Sequence, residues 1–219
     1  SAAENQTSIG TVTASDADSD SVTFTVSGSE LAITAAGVLT FASAPDYETK
    51  SSYSATVTVS DGTNTTSQAV TINVTNVNET PIAIALSATA IDENAAGVVI
   101  GDLTTSDVDA GDTHTYTLSG TDADSFEVVS GQLKLKDSAD YETKNSYSVT
   151  VTATDAAGAV FAQSFAITVT DVNETPTAIA LSATAIDENA AGVVIGDLTT
   201  SDVDAGDTHT YTLSGTDAD

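Results

Sequence analysis

Carboxylates and amides recur in register along this chain, at positions where turns and strand ends are expected. Glu4-Asn5 returns as Glu93-Asn94 and Glu188-Asn189, and Asp16-x-Asp18 as Asp107-x-Asp109 and Asp202-x-Asp204. Asp46-Tyr-Glu48 returns as Asp140-Tyr-Glu142, Asp61 as Asp155, and Asn76-Val-Asn-Glu79 as Asp171-Val-Asn-Glu174. Oxygen donors of this kind suit a hard cation, which prefers carboxylates and carbonyls. The competing reading is solvation, because net charge keeps a long chain soluble. Solvating charges have no need to recur in register, so the pattern favours ligands.

The elements that must position these acids follow from a fixed period. Residues 79–124 and 174–219 differ only at Ile82 against Thr177, at an offset of 95 residues. Solenoid repeats are shorter, at roughly 20–50 residues, whereas about 100 residues make one β-sandwich domain. The expected organisation is therefore a string of domains: 1–78, a repeat lacking its first strand; 79–173, a complete repeat; and 174–219, the N-terminal part of a third. With no initiator Met and no signal peptide, the chain reads as a window cut from something longer.

Thr, Ala, Ser and Val are the commonest residues beside Asp, and small or β-branched residues favour strands over helices. Apolar and polar residues alternate over 22–26, 38–41, 53–59 and 70–74 of the first repeat, with Gly28, Gly37 and Asp61-Gly62 as turns. In the complete repeat the pattern predicts seven strands, over 82–88, 98–103, 113–118, 126–129, 132–136, 147–154 and 161–170. Phe126, Phe161, Phe165 and Tyr147 should join Ile, Val and Leu in its core. This is an all-β sandwich pattern. A closed barrel fits less well with chain ends that leave from opposite poles. The third segment holds only three strands, too few to bury a face, so it should be loose or pair with another edge.

The formal charge is −28, from 32 acids against 4 lysines and no arginine. That excludes a general nucleic-acid binder and an anionic membrane surface as partner. No apolar run approaches the ~20 residues of a membrane helix. Without cysteine, neither disulfides nor thiolate metal sites are available.

Taken together, Glu-Asn near the start, Asp-x-Asp after the second strand, Asp-Tyr-Glu before the sixth and Asp-x-Asn-Glu-x-Pro at the joint resemble cadherin repeats. The likeness spans the chain and is strongest to bacterial cadherin-like repeats of long secreted surface adhesins. It implies tandem seven-strand Greek-key sandwiches, immunoglobulin-like in class, with several calcium ions at each inter-domain joint. The first joint would use Glu4, Asp46, Glu48, Asn76, Asn78 and Glu79, answered by Asp107, Asp109 and Asp155. The second would use Glu93, Asp140, Glu142, Asp171, Asn173 and Glu174, answered by Asp202 and Asp204. The first set holds seven carboxylates and two amides, and one ion, taking about 6–8 oxygens, could not neutralise that charge.

Three departures from the family pattern stand out. The joint is one residue shorter than Asp-x-Asn-Asp-Asn-x-Pro, which leaves one backbone ligand and the ion count open. Asn76 stands where Asp171 stands, so the first joint should bind calcium more weakly. The loop from Asp18 to Asp20 is one residue shorter than that from Asp109 to Asp112, which leaves Asp112 and its partners open.

Other chemistries fit less well. An EF-hand loop starting at Asp107 would need Gly sixth and Glu twelfth, but Gly111 is fifth and Leu118 twelfth. His114 and His209 occupy a position that holds Val22 in the first repeat, which marks strand-surface residues rather than catalysts, and no enzyme is expected. The acids fall at domain ends rather than in a cleft, against a carboxylate pair for glycoside hydrolysis. The sequon Asn64-Thr-Thr66 is of a kind that arises by chance in so Thr-rich a chain. The leading expectation is a calcium-stiffened extender of an extracellular adhesin whose partners are its neighbouring repeats. The rivals are a sandwich that itself binds a glycan or another cadherin-like chain, and a spacer of a secreted enzyme. Near-identical copies and 5% aromatic content weigh against a glycan groove.

Overall fold

The computed structural model of the protein describes residues 1–95, 97–189 and 191–216. Its backbone groups into two compact units. The first joins Ser1–Ala83 to Thr105–Thr115 and Ala153–Phe161, and the second holds Ile84–Thr104, Tyr116–Thr152 and the chain from Ala162 onward.

The first 75 residues form β1 (Ala2–Ala3), β2 (Ser8–Thr11), β3 (Thr23–Val26), β4 (Leu31–Ile33), β5 (Val38–Phe41), β6 (Ser52–Ser60) and β7 (Thr65–Thr75). They make two sheets, ordered β1-β7-β6-β3 and β2-β5-β4. Side chains from both sheets form one core, with Leu31, Leu39, Phe41 and Val74 buried and the Phe41 ring edge-on to Tyr53 at 5.0 Å. Alternation located β3, β5, β6 and β7. The two-residue β1 and three-residue β4 carry too few alternating positions to register as a pattern, and β2, Ser8-Ile-Gly-Thr11, has one large apolar side chain.

Residues 83–170 repeat this plan as β8 (Ala83–Leu86), β9 (Ala90–Asp92), β10 (Val99–Ser106), β11 (Thr115–Ser119), β12 (Phe126–Val129), β13 (Gln132–Leu135), β14 (Ser146–Thr154) and β15 (Val160–Thr170). The sheets are ordered β12-β13-β10-β8 and β11-β14-β15-β9. One 3-10 turn, Ala123–Ser125, precedes β12, and no helix among the described residues is long and apolar enough to cross a membrane. The fold is an all-β sandwich. Alternate residues of β14 point inward, leaving Val149 and Val151 with no exposed surface, and Leu133 and Ile167 are equally enclosed. Phe126 is buried edge-on to Tyr147 at 5.8 Å. Phe161 and Phe165 are only half-buried; they share parity with buried Ile167 and Val169 on β15, towards its less covered end.

The repeat has eight strands where alternation predicts seven: β8 lies within the expected strand over 82–88, and β9, over Ala90–Asp92, is an additional strand beyond it. β8 pairs in β10's sheet; the chain then crosses to the other sheet, where β9 runs parallel to β15 with Ala90 opposite Thr168. The crossing needs a close approach. A Cβ on Gly101 would lie 2.7 Å from Ser87 Oγ and 2.8 Å from the Ala88 nitrogen. Gly196 stands in the same relation to Ser182 and Ala183.

In the third segment, β16 (Ala178–Leu181) pairs antiparallel with β17 (Leu198–Ser201), two strands among the described residues where three are expected. Every residue of β16 is exposed.

Gly101→Ala should lower stability by about 1–3 kcal/mol, the usual cost of forcing a methyl into a filled site. Thermal melts of the variant and wild type measure this, and an unchanged midpoint would show that the crossing tolerates displacement.

Candidate metal centres

Each acidic centre grows from a buried glutamate just after a short parallel strand. Glu4 follows β1 and Glu93 follows β9, and they are 3% and 4% exposed. A buried carboxylate is costly unless hydrogen-bonded, and here main-chain donors satisfy both oxygens. Glu4 Oε2 accepts from Tyr47 N at 2.7 Å and Oε1 from Val77 N at 2.8 Å. Glu93 accepts in the same way from Tyr141 N and Val172 N, both at 2.8 Å. Each glutamate thereby ties the Asp-Tyr-Glu turn to the chain leaving the last strand.

The next residue is left-handed in both places, Asn5 at φ 61° and Asn94 at φ 64°. Asn tolerates this better than most residues. The Asn5 amide donates to Glu79 Oε1 at 2.7 Å, and Asn94 donates likewise to Glu174.

The Asp-Tyr-Glu turn is closed by its own aspartate. Asp46 Oδ1 accepts from Thr49 N at 2.9 Å, and Asp140 Oδ1 from Thr143 N at 2.8 Å. Lys50 and Lys144 pin the far end, pairing with Glu30 and Asp122 and lying 4.5 and 4.6 Å from the Tyr53 and Tyr147 ring centroids.

Within the first unit, oxygens of Glu4, Asp46 and Glu48 lie within 4.8 Å of one another, as do those of Glu48, Glu79 and Asp109, and those of Asp107, Asp112 and Asp155. The joint itself binds across: Glu79 N donates to Asp109 Oδ2 at 2.7 Å, and the Asn78 amide to Asp155 Oδ2 at 2.8 Å. Asn76 lines an open cleft with Tyr47, Glu48, Val108 and Ala110. Within the second unit the groups are Glu93, Asp140 and Glu142, and Glu142, Glu174 and Asp204. Glu174 N donates to Asp204 Oδ2 at 2.7 Å, and the Asn173 amide to the Glu174 carbonyl at 2.8 Å. Asp171 lies beside Asp204 and Glu93. Asp202 pairs with His209.

The crowding leaves an electrostatic signature. Lost hydration, then neighbouring carboxylates, raise the carboxyls of Glu48, Glu79, Glu142, Asp171 and Glu174 above their ordinary pKa values. Asp155 is lowered instead, chiefly by the Asn78 amide, and Asp202 chiefly by His209. Among the described residues, Glu79 Oε2, Asp109 Oδ1, Asp112 Oδ2 and Glu174 Oε2 are buried without a hydrogen-bond partner. All-oxygen donor sets with unpartnered buried oxygens suit a hard cation.

Several participants were not legible as such. Asp112, left open by its loop length, meets Asp107 and Asp155. The recurrence of Glu-Asn was visible, but the reach of Asn5 and Asn94 to the joint glutamate depends on the left-handed backbone. His114 and His209 are not surface residues: their side chains are 11% and 21% exposed and face Asp107 and Asp202.

The sequence model of the cadherin domain family matches residues 87–172. That stretch is a cadherin domain. No curated protein matches the chain in sequence. Among solved structures, human protocadherin-24 EC1-2 (form II) is 24% identical with a TM-score of 0.65, over 74% of this chain and 87% of that one. Mouse cadherin-23 EC22-24 is 24% identical with a TM-score of 0.67, over 93% and 74%. Protocadherin gamma B2 domains 3-6 reach 0.68 at 19% identity, over 94% and 54%. At these identities the likeness to the solved structures is one of cadherin fold.

The raised Glu142 carboxyl gives a signed prediction. Its folded pKa lies above its unfolded one, so its ionisation opposes folding above the folded pKa, and the penalty disappears below the unfolded pKa. In chelator at neutral pH, Glu142→Gln should therefore raise the melting temperature, and the gain should vanish as pH falls through the ordinary glutamate range. A pH series of melts tests this; a lower melting temperature at neutral pH would contradict it.

Proposed function

We propose that the chain is a calcium-bridged extender segment of a long extracellular surface adhesin of the bacterial type, built of repeats 1–78, 79–173 and 174–219. The observation that carries the reading is the gathering of carboxylates around buried oxygens without hydrogen-bond partners. Glu48 belongs to two such groups in the first unit and Glu142 to two in the second. A shared carboxylate suits adjacent ions, and several ions per joint balance a charge that one would not. The proposed ligands are those the sequence names at each joint, with Asp112 added at the first.

The role is mechanical rather than enzymatic. Without calcium the carboxylates of a joint repel one another; bound calcium would link one repeat to the next, so the partners are neighbouring repeats of the same chain. Because the ions favour the assembled joint, they would also raise stability by linkage.

Calorimetric titration should show several calcium ions per joint. Asp140→Ala or Glu142→Ala should weaken the second joint by at least about tenfold, since even outer partners of a metal are worth 10–100-fold. No binding at millimolar calcium would reduce the acids to a solvated surface. Asp171→Asn should bring the second joint's affinity towards the weaker first joint, which carries Asn76. Equal affinities before and after the substitution would remove the asymmetry. In X-ray scattering, chelator should change the radius of gyration relative to the calcium form; an unchanged value would refute stiffening.

A further inference from the structure

Asp107 and Asp202 begin the acidic loops of the second and third repeats, and these loops do little to hold their carboxylates. The first repeat shows what a loop can supply. There Asp16 Oδ1 accepts two loop N–H groups, from Asp18 at 2.9 Å and from Asp20 at 3.2 Å. In the loop that is longer by one residue, Asp112 N turns to the Asp109 carbonyl at 3.3 Å, and Asp107 Oδ1 keeps one loop donor, Asp109 N at 3.2 Å. At Asp202 that remaining donor, Asp204 N, lies at 3.4 Å, while Asp207 N faces the Asp204 carbonyl.

A histidine meets the other oxygen in both longer loops. His114 Nε2 lies 2.9 Å from Asp107 Oδ2, and His209 Nε2 2.8 Å from Asp202 Oδ2. Facing a carboxylate acceptor, Nε2 carries the proton. The side chains of His114 and Asp107 are 11% and 4% exposed, so solvent does not easily replace the bond. Where the short loop supplies two N–H groups, the corresponding position holds Val22. Loop length and histidine thus change together.

We propose that His114 and His209 are positioning residues, each holding Asp107 or Asp202 in its ligand orientation with an Nε2 hydrogen bond that replaces the N–H withdrawn by the longer loop. This rests on the reading of the joints as calcium sites. In this arrangement the histidine stands outside the group of Asp107, Asp112 and Asp155, whose oxygens lie within 4.8 Å of one another. It acts from behind the carboxylate, as outer partners of metal ligands do.

The test is a calcium titration of the whole chain, followed at the first joint through the amide signals of Glu79, Asp109 and Asp155, for wild type, Asp107→Asn, His114→Val and His114→Gln. Asp107→Asn and His114→Val should each weaken binding about tenfold or more. His114→Gln should recover most of the loss, because its amide is a donor. Nitrogen-15 spectra should show His114 as the Nε2–H tautomer with and without calcium. Melts of His114→Val and His114→Gln in chelator should remain single cooperative transitions above the titration temperature, so that the affinities compared are those of folded chains. If Asp107→Asn weakens binding and His114→Val does not, the positioning role is overturned and the calcium reading stands. The role is also overturned if glutamine recovers nothing or the tautomer is Nδ1–H. If Asp107→Asn leaves binding unchanged, the calcium reading of this joint fails, and the proposal fails with it.

Discussion

The buried carboxylates of Glu4 and Glu93 are the constraint on which each acidic centre depends. Each accepts two main-chain N–H groups from segments far away in sequence; Glu93 reaches Tyr141 and Val172. Hydrogen bonds to a charged group are worth about 1.5–3 kcal/mol each, and an apolar residue here would leave two donors unsatisfied. The glutamate therefore sets where the Asp-Tyr-Glu turn lies relative to the joint, and so where Glu48 and Glu142 present their oxygens. The sandwich supplies the frame, because the short parallel pairing of β1 with β7, and of β9 with β15, delivers each glutamate to that spot.

Against this attraction stands the repulsion of the acids it gathers. The chain has four cationic side chains in all, and those nearest the centres, Lys50 and Lys144, pair with Glu30 and Asp122 at the backs of the turns. Asn5, Asn78 and Asn94 soften the crowding by donating to carboxylates, yet five carboxyls remain above their ordinary pKa values. A fold that holds such groups together without counter-charge is poised for a cation. The first repeat's Asp16 loop and the histidine-backed loops that follow are two local solutions to one problem, that of keeping a carboxylate aimed.

Much of this was legible in the residues. The long strands β6, β7, β14 and β15 follow from alternation, because one face of each must be buried and the other wet. The acids of both joints stand out because near-identical copies recur in one chain, and the structure brings those of the first joint, and Glu93, Asp140, Glu142, Glu174 and Asp204 of the second, into compact groups. Four-residue strands such as β5 and β12 were still readable, whereas β1, β4 and β9 hold only two or three residues and β2, Ser8-Ile-Gly-Thr11, carries a single large apolar side chain, so these four left no pattern. The crossing of the first strand between sheets had only one sign, a glycine at Gly101 and again at Gly196, whose meaning depends on what passes over it.

By itself, the amino-acid sequence determined the repeat, the all-β class and the positions of the long strands, and it named the acids that gather, Asp112 apart. These are properties of period and of local alternation, which the chain carries in one dimension. Only the tertiary structure decided which oxygens are held by main-chain donors and which are left without partners, and that Asp112 belongs with Asp107 and Asp155. It alone turned His114 from a strand-surface residue into the partner of Asp107. The physical reason is that a hydrogen bond is a matter of a few ångströms between groups as much as 80 residues apart, and no spacing in the sequence records that distance.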